Sequence, residues 1–80
     1  MWLVEHHIVY PEGDTQEIAS PLSFNQFVGI NGVPLQLPLE SPKTIVYRVY
    51  RISKDEHKGG TNVYYYLELV TGEELESLAR

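Results

Sequence analysis

Apolar and polar residues alternate along two stretches in the second half of the chain, residues 44–52 and 61–70. Alternation with a period of two is typical of β-strands that bury one face. Residues 53–60, which lie between them, are polar and end in two glycines, so the pattern predicts one long β-hairpin with a loop at 53–60. Five of the six tyrosines of the chain fall within this hairpin, which makes it the most informative part of the sequence.

We choose the register of the predicted hairpin, that is, which residues lie opposite each other, so that the apolar side chains share one face. With Ile52 opposite Asn62, that face is almost wholly apolar, and we predict that it is core. Its main members are Ile45, Tyr47, Val49, Tyr65, Leu67 and Leu69. On the opposite face of the hairpin, this register pairs Arg48 with Tyr66 and Tyr50 with Tyr64. We name this second set the tyrosine face: Arg48, Tyr50, Tyr64 and Tyr66.

Weaker strand patterns precede the hairpin. Residues 2–10 alternate, and their more apolar set is the predicted inward face: Trp2, Val4, His6, Ile8 and Tyr10. Residues 15–19 are predicted to form a short return strand. Asn31-Gly32 favours a tight hairpin turn, because the residues at the centre of such turns need positive φ.

Prolines and a capping signal define the remaining elements. Pro34 and Pro38 remove two backbone donors, so the segment that contains them should be an edge strand or an extended, polyproline-like chain that lies against the core. Thr71 and Glu74 have the spacing of a capping box, which predicts that a short C-terminal helix starts there. Together these elements predict one domain, residues 1–80, of the α+β class. We expect a mainly antiparallel sheet of four to six strands, curled into a roll or partial barrel, with one C-terminal helix.

Composition and charge restrict the classes of function. The chain has no cysteine, which excludes disulfides and Cys-based metal sites. The formal net charge is −5, with +3 on residues 43–60 and −8 on the rest, which argues against binding of duplex nucleic acid. No apolar run approaches the length of a membrane span. The acidic, short N-terminal run does not resemble a signal peptide, so we expect a natural start and a soluble cytoplasmic protein without membrane contact.

Residues able to carry catalysis do not converge in the sequence. His6 and His7 point to opposite faces of a strand and cannot readily share a metal ion, and His57 lies in the predicted loop. We recognise no nucleophile with a neighbouring base and no phosphate-binding loop. We therefore expect neither an enzyme nor a cofactor or metal site.

The tyrosine face is the remaining candidate for function. Tyrosine and arginine supply most binding energy in many protein interfaces, so we expect Arg48, Tyr50, Tyr64 and Tyr66 to bind a protein partner or a second copy of the chain. Stacking of single-stranded nucleic acid on the rings is the alternative. A purely structural role is also open, because cross-strand pairs stabilise hairpins and the C-terminal helix could cover this face. A symmetric dimer through the strand at 2–10 is a further option if that strand forms the second sheet edge.

Overall fold

The computed structural model of the chain describes residues 1–41 and 43–79. Within these ranges the elements are β1 (Leu3–Val9), β2 (Thr15–Ile18), β3 (Phe27–Val28), β4 (Tyr47–His57), β5 (Gly60–Leu69) and helix α1 (Gly72–Leu78). The strands form one sheet in the order β2-β1-β5-β4-β3, and the sheet curls into a half-barrel. The structure thus confirms the predicted fold class, a mainly β domain with one short C-terminal helix.

Strand β1 lies inside the sheet and pairs in parallel with β5. Its other side pairs antiparallel with β2, from His6 to Val9. Over most of its length this strand is therefore not a sheet edge. The dimer expected through a free edge at 2–10 cannot form where β2 already pairs with β1. Only Leu3–Glu5 extends beyond the end of β2, and Trp2 and Val4 are 58% and 52% exposed rather than part of the core.

The main core lies on the concave face of the half-barrel. Its buried members are Ile8, Leu22, Val28, Val49, Val63, Tyr65 and Leu67. The predicted core positions Val49, Tyr65 and Leu67 are confirmed. Ile45 and Leu69 are each 52% exposed, so their prediction as core was wrong. Ile45 precedes the start of β4 and Leu69 is the last residue of β5, so both lie at the end of the hairpin rather than over its packed centre.

A turn at Ile30–Gly32 packs against strands β1 and β2. Asn31 and Gly32 have φ values of 67° and 73°, as the Asn-Gly pair predicted. Gly32 is buried, and its Cα faces the side chains of Ile8 and Ile18. The Tyr10 hydroxyl accepts a hydrogen bond from the Asn31 amide at 3.1 Å. The turn therefore covers the part of the core around Ile8 and Ile18.

Helix α1 packs on a second, smaller apolar cluster. Leu75 and Leu78 contact a buried group that consists of Leu39, Val46 and Val70. Thr71 occupies the N-cap position but makes no side-chain capping hydrogen bond, so the predicted capping box is wrong. The carboxylate of Glu74, its expected partner, instead accepts a hydrogen bond from a side chain of the sheet, Arg48.

Candidate interaction surface

The strands of the β4–β5 hairpin are paired further toward its tip than its sequence pattern indicated. Both strands continue to His57 and Gly60, so a turn at Lys58-Gly59 replaces the predicted loop at 53–60. Gly59 has a φ of 96°, which glycine adopts at little cost. The hairpin tip therefore consists of paired strands, and its side chains are held in fixed rows.

A β-bulge at Tyr50 changes the register within the hairpin. Before the bulge, Tyr47 lies opposite Leu69; after it, Arg51 lies opposite Tyr66. The predicted pairing of Ile52 with Asn62 is wrong, since Ile52 lies opposite Tyr65. A bulge inserts one residue into one strand, so every later residue of β4 changes partner and face relative to a regular ladder.

Arg48 is tied to two carboxylates and does not pair with Tyr66. It lies opposite Glu68, and its Nε donates to the Glu68 carboxylate at 3.0 Å. A second donor of the guanidinium reaches Glu74 of α1. These hydrogen bonds, the one to Glu68 foremost, raise the pKa of Arg48 above its ordinary value. The arginine thus links the helix to the sheet, and its charge is largely compensated.

Arg51 takes the place beside the tyrosines that was predicted for Arg48. Its guanidinium carbon lies 5.1 Å from the centre of the Tyr66 ring, within cation–π range. The Tyr50 ring lies 6.5 Å from the same ring, and the Tyr50 side chain is 47% exposed on its bulge. Strict alternation along β4 hid the role of Arg51, because it placed this residue on the core face. Lys58-Gly59 could have indicated the correct register. A two-residue turn at these positions, in place of the long loop, sets His57 opposite Gly60 and Arg51 opposite Tyr66.

Tyr64 lies on the same face but not next to Tyr50. It pairs opposite Ser53, and its ring stacks on that of His7 at 5.2 Å with an interplanar angle of 23°. The rings of Tyr64 and Tyr66 are half-buried by these neighbours. Helix α1 packs instead on the cluster around Val46 and contacts this face at Arg48. Tyr50 thus lies next to Tyr66, whereas Tyr64 lies further along β5, opposite Ser53. Arg48 contacts helix α1 through Glu74 instead of the tyrosines.

The imidazoles have structural partners. The His6 Nδ1 and the Tyr65 hydroxyl lie 2.9 Å apart on the core face, and the His7 ring approaches the Glu5 carboxylate at 3.7 Å. Within residues 1–41 and 43–79, no three His, Asp or Glu side chains are arranged to hold a metal ion. None of the helices in these ranges is long and apolar enough to cross a membrane.

Comparison with models of known protein families gives a match that spans nearly the whole chain. A family model described as "Uncharacterised Treponema protein" matches residues 2–78, which is nearly the whole chain. The chain belongs to this family. The match to the uncharacterised Treponema family includes all five strands and the helix described above. No curated protein and no solved structure matches the chain.

Proposed function

We propose that this protein is a non-catalytic interaction module that binds a protein partner or a second copy of itself through the tyrosine face. Arg51 replaces Arg48 as the cation of that surface. The observation that carries the proposal is the cluster at the bulge, where an exposed Tyr50 stands beside Tyr66 and the guanidinium of Arg51 covers the Tyr66 ring.

The residue types and their rigidity support this function. Tyrosine and arginine are enriched among the residues that dominate interface energetics. Here they project from paired strands rather than from a flexible loop, so binding would order few additional torsions. Contact between Arg51 and the Tyr66 ring holds the guanidinium in place before a partner arrives. A partner with a carboxylate or an aromatic side chain fits this surface best.

Single-stranded nucleic acid receives less support as the ligand. Three cations were candidates for phosphate contact, Arg48, Lys54 and Lys58, and of these Arg48 is paired with Glu68 and Glu74. A nucleic-acid surface would need uncompensated cations around the stacking rings, because phosphate contacts supply most of the affinity. Titration of labelled mixed oligonucleotides at low salt tests this alternative. Saturable binding that Arg51→Ala abolishes would support it over a protein partner.

The test of the proposed function compares four immobilised baits: the unmodified protein, Tyr50→Ser, Arg51→Ala and the control Ile30→Ser. Ile30 is 59% exposed and lies on a different part of the fold, so this control also removes an exposed apolar side chain. We expect the unmodified and control baits to retain the same protein from cell extract, and the two surface variants to lose it by about tenfold or more. Sedimentation of each purified variant measures self-association in parallel. Equal retention by all baits, together with equal mass in sedimentation, would contradict the proposal.

A further inference from the structure

The outer edge of β4 carries a row of unpaired backbone groups. The Leu3 amide donates to the Gly59 carbonyl, so the odd-numbered residues of β5 direct their backbone groups toward β1 and the even-numbered ones toward β4. With His57 opposite Gly60, the odd-numbered residues at the tip of β4 bond to β5. The residues that point outward are therefore Ile52, Lys54 and Glu56. Among residues 1–41 and 43–79, none of their N–H or C=O groups has a backbone partner.

This free edge is closed at one end. The Asn25 amide donates to the Val49 carbonyl, and the Val49 amide donates to the Gln26 carbonyl, so this loop occupies the edge up to Tyr50. At its other end the edge finishes at the tip of the hairpin. A strand added beside residues 52–56 can extend past the tip, but it has to stop or turn away before it reaches Tyr50. A chain terminus meets this condition without a further turn.

Charge decides which terminus fits the closed end. Arg51 precedes Ile52 on that side, and it takes part in none of the ion pairs of the described residues. Its guanidinium, held over the Tyr66 ring, attracts a terminal carboxylate and repels a terminal ammonium group. A carboxylate arrives there only if the added strand runs antiparallel to β4. The last residue of that strand then lies opposite Ile52, and its carboxylate accepts a hydrogen bond from the Ile52 amide.

The side chains of the edge restrict the sequence of the added strand. From Ile52 toward the tip, β4 continues with a serine, Lys54, Asp55 and Glu56. Opposite charges stabilise directly facing positions of two strands, and like charges destabilise them. The matching tail therefore has two basic residues, which face Glu56 and Asp55, and then an acidic residue that faces Lys54. An uncharged residue and an aliphatic last residue follow. Charged edges discourage pairing with other strands, so tails without this order are disfavoured.

We propose that the partner of this protein contributes such a C-terminal tail, which adds to the free edge of β4 as an antiparallel strand. The inference rests on the proposed function, because it gives the chemistry of the partner that meets Arg51 beside the tyrosine face. Addition of a strand to a sheet edge and capture of a terminal carboxylate are both recurrent ways to bind peptides. The backbone of the three outward residues provides the affinity, and Arg51 selects the free C-terminus.

Peptides with defined ends test the proposal. The probe is the acetylated pentapeptide KKETV with a free carboxylate, titrated into the isotope-labelled protein and followed by NMR. We expect the amide signals of Ile52, Lys54 and Glu56 to shift, with about tenfold weaker binding of the C-terminal amide. The peptide EKKTV is the matched control, because it has the same composition but sets like charges against Glu56 and Lys54. Unchanged amide signals with KKETV at millimolar concentration would overturn strand addition.

Variants of the protein assign the two ends of the tail. Arg51→Ala should remove the difference in affinity between the carboxylate and the amide of KKETV. Lys58→Ala, which removes a cation at the other end of the edge, should keep this difference. Lys54→Glu should remove the preference for KKETV over EKKTV, because each peptide then faces one like charge. Circular dichroism checks that each variant keeps the fold. An acid-to-amide ratio that Arg51→Ala leaves unchanged refutes the site assigned to the carboxylate.

The outcomes also separate this inference from the proposed function. If KKETV leaves the edge unchanged but Tyr50→Ser still loses a captured protein, strand addition is overturned and the interaction module is supported. Specific binding of KKETV together with equal capture by all baits supports strand addition and contradicts the tyrosine face as the capture surface. Absence of both effects contradicts both proposals.

Discussion

Replacing Gly32 with alanine adds one methyl group at the point where the turn covers the core. Gly32 has a φ of 73°, and a Cβ at this position would lie 3.2 Å from both Ile8 Cδ1 and Ile18 Cγ2. Carbon atoms prefer a separation of about 3.5–4.0 Å, so the turn or the two isoleucines must shift. The substitution therefore combines backbone strain with overpacking of the core.

The two effects can be assigned separate magnitudes. A left-handed conformation costs a non-glycine residue about 1–2 kcal/mol. Overpacking of a well-packed core costs about 1–3 kcal/mol. We expect Gly32→Ala to lower the free energy of unfolding by about 2–5 kcal/mol, a large part of the roughly 4–12 kcal/mol expected for a chain of this length. Gly13→Ala is the control for strain alone, because Gly13 has a φ of 100° and a methyl group added there would meet no atom within 4 Å.

Urea denaturation followed by far-ultraviolet circular dichroism measures these losses. We expect the midpoint to fall more for Gly32→Ala than for Gly13→Ala, at an unchanged slope. Ile8→Val removes the Cδ1 atom that the new methyl group meets, so the double variant Gly32→Ala/Ile8→Val should lose less stability than the sum of its single changes. Equal losses for the two glycine variants, together with additive losses in the double variant, would refute the role assigned to this contact.

Three further predictions concern other parts of the fold. Glu74→Gln breaks the ion pair that ties α1 to the sheet, so amide exchange in α1 should accelerate, whereas the neighbouring Glu73→Gln should have little effect. In Gly60→Ala the new Cβ would overlap the Leu3 carbonyl oxygen. We expect the first residues of β1 to detach, visible as faster amide exchange there and a loss of about 1–3 kcal/mol in urea titrations. Mainly through burial, the pKa of Tyr47 is raised above 10.0. Since the unfolded chain releases this proton first as the pH rises, stability should decline above about pH 10, and less so in Tyr47→Phe, as measured by thermal unfolding at each pH.

Local patterns in the sequence were sufficient for the parts of the fold that depend on alternation. The buried face of β5 was predicted residue by residue at Tyr65 and Leu67, because every second side chain of a strand points the same way. The positive φ of Asn31 and Gly32 was likewise predictable from residue type. The short C-terminal helix was predictable as well, and its Leu75 and Leu78 pack on the cluster of Leu39, Val46 and Val70.

Features that depend on distant residues were not predictable from these patterns. The bulge at Tyr50 reverses the parity of β4, and neither tyrosine nor its neighbours are specific to bulges. Arg48 was assigned to Tyr66 because a register shift of two residues keeps every side chain on its face, so alternation could not show that Arg48 lies opposite Glu68. It also could not show that Glu74, on a helix 26 residues away, binds the same guanidinium. The predicted residues of the candidate surface therefore lie on the hairpin, but Arg51 rather than Arg48 lies beside Tyr66.

The parallel pairing of β1 with β5 has a consequence for synthesis on the ribosome. Leu3 pairs with Gly60, so the first strand to emerge must wait until the last strand of the sheet has been made. The β1–β2 hairpin available until then is too small to be stable alone. Contacts this distant in sequence also slow folding. Throughout elongation Ile8, which is fully buried in the folded domain, therefore remains open to chaperones, and the domain folds only after β5 has left the exit tunnel.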